Sequence, residues 1–263
     1  MNKLEIFCIT NKDSEKLDNL DINLVGVGTG EFKSNYIRCE GGENINNKEK
    51  NYSELAFHYW FWKNRLSKYS ENEWIGFCQR RRFWLKSKNE DLNKPLKDII
   101  LREVPNDWHK HNAVICEPIH LGTKFMKLIK RGWRNLIRDP KILFNLKNSS
   151  IRLHFDMHHG FGILDKAIDV LKKEDREEFR NYVNNRSFYN PHIMFIAKKN
   201  IMEKYFNNVF PWLFDCEKVF GFENLKGYDQ TRLYAYLSER YLSFWFKKYS
   251  NYIEWPWIFK DIN

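Results

Sequence analysis

Three consecutive arginines, Arg80 to Arg82, follow an apolar run that begins at Trp74 and are closed by Phe83 and Trp84. A guanidinium group forms two parallel hydrogen bonds to phosphate oxygens and stays charged at any relevant pH. Alternate residues of an extended segment point to opposite sides, so at most Arg80 and Arg82 share a face unless a turn begins there. The stretch predicts a phosphate-binding strand end, with an exposed basic turn as the alternative.

A second concentration of polar residues lies in HFDMHHG, residues 154–160. His154 and His158 are one helical turn apart, with Asp156 and His159 beside them, a spacing that zinc or iron can use. No glutamate accompanies the histidines in a metalloprotease arrangement. Three interpretations stay open: the polar lining of a substrate cleft, a loop without a special role, and a metal site.

Three carboxylates are candidates for a general base or for accepting hydrogen bonds from substrate hydroxyls. Asp229 opens a predicted helix over residues 229–249, where its structural role is that of an N-cap. Glu239 lies on the polar side of that helix and either acts as a base or pairs with Arg232, two turns earlier. Glu54 either complements a helix dipole in the first turn or contacts substrate.

The elements that position these residues alternate between strands and helices. Apolar runs predict strands at residues 4–10, 22–27, 113–116 and 192–199, besides the run that begins at Trp74. Helices are predicted at residues 51–69, before Pro105, and at 122–138, 162–173, 175–184, 200–219 and 229–249. This order indicates an α/β sheet flanked by helices with a helical C-terminal part, in a single domain over residues 1–263. In such sheets ligands bind beyond the carboxyl ends of the strands.

The predicted helix over residues 51–69 has an apolar stripe at helical spacing, formed by Leu55, Tyr59, Trp62 and Leu66. His58 projects away from this stripe. The pattern therefore predicts that the stripe faces a core and that His58 does not.

The composition is that of a folded, basic protein: 263 residues, 43% hydrophobic and 17% aromatic, with a formal net charge of +10. Such a charge favours polyanionic partners: phosphorylated substrates, nucleic acid or an anionic membrane. The five cysteines include no Cys-x-x-Cys pair, which argues against a disulfide framework or structural zinc site. No signal-peptide core and no membrane-length apolar run is present, so we expect a soluble, cytoplasmic protein.

Ordered sequence blocks over nearly the whole chain carry a resemblance to a known family. They are Thr10-Asn11-Lys12, Asn51-Tyr52-Ser53-Glu54-Leu55, Tyr59-Trp60-Phe61-Trp62-Lys63-Asn64, Gly76-Phe77-Cys78-Gln79-Arg80-Arg81-Arg82-Phe83-Trp84, Met194-Phe195-Ile196-Ala197-Lys198-Lys199, Gly227-Tyr228-Asp229-Gln230 and Leu237-Ser238-Glu239-Arg240. With these blocks the chain resembles a family of bacterial capsule and lipopolysaccharide gene clusters. That family was long described as a domain of unknown function and is classed with glycosyltransferases.

Three departures from the family pattern bear on the chemistry. The family has His-Tyr where this chain has Gln79-Arg80, and a histidine in its first strand where this chain has Asn11. A proton-donating histidine is therefore absent at both places. Ile193 replaces the usual asparagine before the Met-Phe-Ile block. Arg81 and Arg82 are the arginines that carry over from the family, and Arg80 is an extra one.

The resemblance implies a GT-A-like fold with a central mixed, mostly parallel sheet, and a hexosyltransferase-type reaction. A sugar would move from a nucleoside-diphosphate sugar to a capsular polysaccharide or lipopolysaccharide acceptor, free or lipid-linked. Together with the residue chemistry above, this gives candidate donor-binding residues Thr10, Asn11, Lys12, Tyr52, Glu54, Arg80, Arg81 and Arg82. The candidate catalytic residues are Asp229, Glu239 and His159. The candidate acceptor- or sugar-binding residues are His154, Asp156, His158, Asn190 and His192.

The means of neutralising the departing diphosphate differs from that of many GT-A enzymes, which hold a divalent metal with Asp-x-Asp at a strand end. No Asp-x-Asp occurs in this chain, and the nearest spacing, Asp215-Cys216-Glu217, reads as a solvated helix face. We therefore expect Arg81 and Arg82, with Arg80, to stand in for the metal, so that no cofactor is required. A divalent metal stays open as the alternative.

The segment over residues 122–147 predicts a basic amphipathic helix, with Phe125, Leu128 and Trp133 on its apolar face and Lys127 and Arg134 opposite. Such a helix either lies on an anionic membrane, here the inner face of the cytoplasmic membrane, or covers a core with a solvated basic back.

Two other function classes remain as rivals of the transferase. A nucleic-acid-binding protein would suit the net charge and the aromatic residues, but the chain has no known nucleic-acid motif. A metal-dependent hydrolase would use the cluster from His154 to His159.

Overall fold

The computed structural model describes residues 3–121, 133, 136–137, 140 and 150–262. Most of the predicted basic amphipathic helix over residues 122–147 therefore lies outside the described residues. Within them, no helix is long and apolar enough to cross a membrane.

The described strands and helices alternate along the first half of the chain, as the sequence predicts. The strands are β1 (Leu4–Thr10), β2 (Asn23–Gly26), β3 (Ile37–Arg38), β4 (Trp74–Gln79), β5 (Arg82–Trp84), β6 (Ala113–Cys116), β7 (Ile119–His120), β8 (Phe188–Tyr189), β9 (Phe195–Lys198), β10 (Tyr252–Trp255) and β11 (Trp257–Phe259). The helices are α1 (Glu15–Asp18), α2 (Glu49–Tyr52), α3 (Leu55–Asn64), α4 (Leu96–Ile99), α5 (Ile151–His159), α6 (Ile163–Asp169), α7 (Lys173–Asn185), α8 (Lys199–Phe220), α9 (Tyr228–Thr231) and α10 (Leu233–Tyr249).

The central sheet has the strand order β10-β6-β9-β4-β1-β2-β3. Neighbouring strands are parallel except around β9, which runs antiparallel to both β4 and β6. The short strands β5 and β11 belong to the same sheet but lie outside this order: β5 pairs with β4 and with β11. The predicted mixed, mostly parallel sheet flanked by helices is therefore confirmed.

The two central strands are buried on both faces, which is why their sequences are continuous apolar runs. All six residues of β4 are buried, and β1 is buried from Ile6 onward. One face of the sheet packs Ile6, Cys8 and Trp84 into a core cluster. On the other face, the rings of Phe7 and Phe61 approach to 5.1 Å. Parallel strands covered on both faces show this pattern.

Helix α3 lies on the aromatic face and corrects one expectation. The predicted single helix over residues 51–69 is divided at Ser53, whose φ of 54° is unusual for a residue other than glycine. His58 is completely buried in α3, although the stripe pattern predicted that it would project elsewhere. A second helix (α8) covers the same face, so α3 is enclosed on more than one side and its polar positions are buried too.

The C-terminus corrects a second expectation, because two strands, rather than two helices, close the chain. The strand β10 pairs in parallel with β6, and β11 pairs antiparallel with β5. The other element bounds differ by a few residues at the ends, as for the predicted helix over 162–173, which the structure confines to Ile163–Asp169.

The described residues form two compact units. Unit 1 comprises residues 1–117, 192–207 and 245–263 and contains the large sheet; unit 2 comprises residues 118–191 and 208–244. Unit 2 is mostly helical, with α5, α6, α7 and α9 and the two-stranded ladder of β7 and β8. The prediction of a single domain over residues 1–263 stays a prediction.

All five cysteines lie within the described part of the chain, all are buried, and none forms a disulfide. This agrees with the expectation that the chain has no disulfide framework.

Gly76 permits the close approach of β4 and β9. A Cβ atom at this position would lie 2.6 Å from Cγ1 of Ile196, its ladder partner, which is itself completely buried. Because neither strand can move without breaking the ladder, we expect Gly76→Ala to lower the free energy of unfolding by about 1–3 kcal/mol. Urea unfolding measures this change.

The matched control is Gly30→Ala, since a Cβ there meets nothing closer than 3.5 Å. We expect this control to change stability by less than about 0.5 kcal/mol. A Gly76→Ala protein as stable as the wild type would contradict the close packing of these strands.

Candidate functional site

The carboxyl ends of β1, β2 and β4 form one edge of the sheet in unit 1, here called the carboxyl edge. In the ladders, Thr10 lies opposite Gly26 and Ile9 lies opposite Gln79. The backbone N–H of Arg80 donates to the Ile9 carbonyl at 3.1 Å. The structure thus brings the predicted Thr10–Lys12 and Arg80–Arg82 segments together at the edge where α/β sheets bind ligands.

The three arginines form a hairpin, here called the arginine hairpin, in which Arg80 and Arg81 make the turn between β4 and β5. Gln79 pairs with Arg82 across it. The expectation for a continuous extended segment, that Arg80 and Arg82 share a face, therefore does not apply, because a turn begins directly after Gln79. The hairpin is held from outside by Lys260, whose backbone N–H donates to the Arg81 carbonyl at 3.0 Å.

No acidic group among the described residues compensates the charges of Arg81 and Arg82. In the part of the chain that the structure describes, neither guanidinium forms an ion pair. Arg82 donates from Nη1 to Oε1 of Gln79 at 3.1 Å, and its buried Nε has no hydrogen-bond acceptor among the described residues. Two half-buried cations without counter-charges attract an anion strongly, because their surroundings screen less than bulk water does.

Thr10 shapes the loop that follows β1. Its hydroxyl donates to the Lys12 carbonyl at 2.6 Å and accepts from the Lys12 backbone N–H at 3.0 Å. Thr10 is 3% exposed, whereas Asn11 and Lys12 are exposed. The hydroxyl therefore fixes the turn, and the two exposed side chains are the ones that can reach a ligand.

A cluster of hydrogen-bonded residues around Gly28 and Arg38 lies beside this loop, and the sequence analysis did not predict it. The Gly28 N–H donates to Oδ1 of Asn46 at 2.9 Å, and its carbonyl accepts from Nη2 of Arg38 at 2.8 Å. The Arg38 guanidinium lies 4.5 Å from the Phe32 ring centre and pairs with Glu40 at 2.7 Å. Gly28 has a φ of 79°, which explains the glycine here. In the sequence, the pattern Gly28-Thr29-Gly30 was the signal that could have pointed to this group.

Asn46 also accepts from the Cys39 thiol at 3.1 Å. Burial raises the pKa of Cys39 to about 11, so this thiol stays protonated and keeps its donor role. Asn46 therefore ties together the segment that follows β2 and the segment that follows β3.

The predicted donor contacts of Tyr52 and Glu54 remain predictions. Tyr52 is completely buried at the end of α2, and Glu54 is half-buried at the N-cap position of α3 without a side-chain capping bond. The sequence interpretation of Glu54 as a first-turn residue is thus one position off. His192, which has a φ of 70°, lies in unit 1 with its ring 4.5 Å from that of Trp257.

In unit 2, the segment with the three histidines forms helix α5, not a loop. The rings of His154 and His158 stack at 4.3 Å. Nδ1 of His158 donates to the His154 carbonyl at 2.9 Å, and Nδ1 of His159 donates to the Asp229 carbonyl at 2.6 Å. Carbonyls only accept, so both rings carry a proton on Nδ1 and their basic atom is Nε2. The Tyr236 ring stacks on His159 at 4.0 Å.

Arg240 joins this helix to the carboxylate of Glu239. Its Nη2 donates to Nδ1 of His154 at 3.2 Å, its Nη1 pairs with Glu239 at 2.5 Å, and its guanidinium lies 4.1 Å from the ring centre of Tyr189. Burial alone would lower the pKa of Arg240, but its interactions with Tyr189 and Glu239 outweigh burial and raise it. Arg240 is therefore a permanent buried cation between a histidine and a carboxylate.

The remaining predicted residues of unit 2 have structural contacts. Asp156 is 1% exposed, accepts from the Gly162 N–H at 3.2 Å and lies 3.8 Å from Arg152. Asn190 is completely buried, and its Oδ1 accepts from the Ser243 hydroxyl at 2.6 Å. Their predicted contacts with sugar stay predictions.

Asp229 does not cap the long C-terminal helix. It lies inside the four-residue helix α9, whose N-cap is Gly227, and α10 begins separately at Leu233. The N-cap interpretation of Asp229 is therefore wrong, because the chain leaves helical geometry at Arg232. What the structure assigns to Asp229 is the carbonyl that fixes His159.

Metal binding by the histidine cluster has no support among the described residues, where no group of three or more His, Cys, Asp or Glu side chains could hold a metal ion. The Arg240 cation bonded to His154 gives a physical reason, because it repels a second cation. Asp215, in α8, pairs with Lys218 at 2.7 Å, as expected of a solvated helix face.

Comparison with known proteins gives one family and one fold. The model of the family described as "Domain of unknown function (DUF4422)" matches residues 5–251. The apo structure of the bifunctional glycosyltransferase WbbM has a TM-score of 0.71 to this chain at 17% sequence identity, which shows that the fold is shared. The match covers 98% of this chain and 45% of WbbM, so the chain spans less than half the length of that protein. No curated protein matches the sequence.

Proposed function

Because this chain belongs to the DUF4422 family, we propose that it is a glycosyltransferase that moves a sugar from a nucleoside-diphosphate sugar to a glycan acceptor. The observation that carries the proposal is the arginine hairpin, which places two guanidinium groups at the carboxyl edge without acidic partners among the described residues. The shared fold with WbbM supports the same class of reaction. By the resemblance of its sequence blocks, the acceptor is a capsular polysaccharide or lipopolysaccharide, free or lipid-linked.

The reaction breaks the bond between the sugar C1 and the diphosphate oxygen, and the acceptor hydroxyl oxygen forms a new bond to C1. Negative charge grows on the departing diphosphate and is greatest in the transition state and product. Arg81 and Arg82 neutralise this charge through fork-shaped donors, while the exposed side chains of Asn11 and Lys12 contact the donor. Both electrons of the broken bond leave with the diphosphate.

The proton of the acceptor hydroxyl needs a base, and the contacts in unit 2 rank the predicted candidates. Glu239 is paired with Arg240, which favours its ionised form and makes it a weaker base than an unpaired carboxylate. His159 has its proton fixed on Nδ1 by the Asp229 carbonyl, so its Nε2 is the basic atom. We therefore assign the base to His159 and sugar-hydroxyl binding to Glu239.

A divalent metal is not part of this proposal, since the residues at the carboxyl edge do not suit one. Magnesium and manganese prefer carboxylate oxygens, and the arginine hairpin presents cations where such ligands would stand. The arginines supply the positive charge instead.

The direct test is a thermal-unfolding screen of nucleotide sugars. A donor that binds only the native state adds about 2.7 kcal/mol of stability at a hundred times its Kd, which for a chain of this length raises Tm by roughly 5 °C. Transfer assays with the stabilising donor, with and without EDTA, then give the activity.

A single-stranded oligonucleotide is the matched control for a ligand with phosphates but no glycosyl diphosphate. If the oligonucleotide stabilised the protein and no nucleotide sugar did, the proposed function would be wrong, and the basic charge would indicate nucleic-acid binding.

A further inference from the structure

Phe259, in the last strand of unit 1, exposes half of its side chain beside the arginine hairpin. It is 50% exposed, although it lies in a paired strand of the sheet. The guanidinium carbons of Arg81 and Arg82 lie 5.6 and 5.7 Å from its ring centre. An aromatic ring thus stands next to the two cations that we assign to the diphosphate.

The register of β11 places Phe259 and Arg82 on the same face. The two residues lie directly opposite each other, as do Ile258 and Phe83. Directly opposed side chains of an antiparallel pair share a face, and successive residues alternate between faces. Ile258 and Phe83 belong to the buried core cluster, whereas Phe259 does not, so Phe259 is not needed to fill the core.

The same face of β11 carries a second aromatic side chain. Trp257, two residues before Phe259, is half-buried, and its Nε1 donates to the Glu117 carbonyl at 3.3 Å. The ring of His192 lies 4.5 Å from it. Trp257 and Phe259 are thus two aromatic side chains on one face of β11. This strand also lies beyond residue 251, where the match to the family model ends.

A half-exposed phenylalanine next to cations is suited to one kind of ligand. The C–H groups of a sugar ring pack on an aromatic face, and an attached phosphate takes charged hydrogen bonds from guanidinium groups. We propose that Phe259 packs against the sugar ring that carries the phosphate bound by Arg81 and Arg82. The ligand class is a glycosyl phosphate, in which a single oxygen joins the ring to the phosphate. This inference rests on the proposed function.

A glycosyl phosphate can come from two sources, the nucleotide-sugar donor or a lipid-diphosphate-linked sugar acceptor. The test compares Phe259→Ala and Phe259→Leu with Phe259→Trp in steady-state transfer assays that vary each substrate in turn. The nucleoside diphosphate, which lacks the transferred sugar, is measured separately as an inhibitor. Tyr249→Ala is the control, because Tyr249 is another exposed aromatic residue of unit 1, at 37%.

We expect Phe259→Ala and Phe259→Leu to raise the KM of one substrate about tenfold, with a smaller change in kcat, and Phe259→Trp to retain the wild-type value. If the donor KM rises while inhibition by the nucleoside diphosphate is unchanged, Phe259 packs against the sugar that is transferred. If the acceptor KM rises instead, Phe259 packs against the sugar of the lipid-linked acceptor.

If the variants weakened binding of the nucleotide sugar and of the nucleoside diphosphate equally, the inference would be overturned, because Phe259 would then contact the nucleoside. Unchanged KM values for both substrates would also overturn it while leaving the proposed function intact. A wild-type protein that neither binds nor transfers from any nucleotide sugar would refute both.

Discussion

Replacing Arg81 or Arg82 with alanine is expected to remove about 2–4 kcal/mol of transition-state stabilisation, lowering kcat/KM roughly 30- to 800-fold. The reason is that each guanidinium lies at the carboxyl edge without an acidic partner among the described residues, so its full charge is available to the departing diphosphate. Arg81→Lys and Arg82→Lys should recover part of the loss, because lysine keeps the charge but not the two parallel hydrogen bonds. Initial rates at varied donor concentration measure these effects.

The matched control is Arg102→Ala, which removes the same charge from the opposite end of the sheet. Arg102 is exposed, lines a cavity with Leu4 and Trp74 at the amino ends of β1 and β4, and donates to the Leu20 carbonyl at 2.9 Å. The kcat/KM of the Arg102→Ala protein should stay within about twofold of wild type, because an exposed charge at the opposite end of the sheet is screened from the donor.

Chelation gives the second control for the arginines. Activity of the wild-type protein should survive EDTA. Strict dependence on manganese or magnesium, together with near-normal Arg81→Ala and Arg82→Ala proteins, would show that a metal rather than the arginine hairpin neutralises the diphosphate.

Acidification is expected to destabilise the protein through His58, by about 2 kcal/mol between pH 7.5 and pH 5. His58 is completely buried, with its ring 4.1 Å from that of Phe77, and neither ring nitrogen has a hydrogen-bond partner among the described residues. Burial lowers its pKa from 6.5 to about 3 in the folded protein. Below pH 6.5 the unfolded chain therefore takes up a proton that the folded chain refuses, at about 1.4 kcal/mol per pH unit.

The sign of this effect sets the pH window. Above pH 6.5 the histidine is neutral in both states and contributes no pH dependence. Stability falls as the pH drops from 6.5 toward 3, and the loss from this group stops growing below about 3, where the folded state also binds the proton.

The variant that tests this is His58→Leu, measured by urea unfolding at several pH values. It should be more stable than wild type by about 1–3 kcal/mol at pH 7.5, because it removes two buried polar atoms that have no partner among the described residues. In this variant the free energy of unfolding should also no longer fall between pH 6.5 and pH 5 by the amount assigned to His58. His109→Leu is the control, since His109 is exposed and its Nδ1 donates to the Asn106 carbonyl at 2.7 Å. An unchanged slope in His58→Leu would mean that His58 has a polar partner in solution.

The sequence by itself determined the framework of unit 1. The continuous apolar runs of β1, β4, β6 and β9 predicted strands, because central strands that are covered on both faces are apolar at nearly every position. The position of Arg80–Arg82 directly after β4 then followed from chain order, and so did their place at the carboxyl edge. The strands are local features, and the position of the arginines follows from the direction of β4. The order of residues along the chain therefore suffices to predict them.

Only the tertiary structure decided what surrounds that framework. Helical periodicity put His58 off the apolar stripe, yet packing on more than one side of α3 buries it. The turn at Arg80 and Arg81 arises because β5 pairs with both β4 and β11, which requires the C-terminal strand that periodicity assigned to no element.

The contacts at the carboxyl edge show the same division. Arg38, Asn46 and Phe259 reach it from separate parts of the chain, through ladder register and loop closure. Register depends on pairing energies between distant segments, and those energies leave no periodic signal in a single sequence. The position of Arg81 and Arg82 at the carboxyl edge was therefore predictable from the sequence, whereas the half-exposed ring of Phe259 beside them was set by the fold.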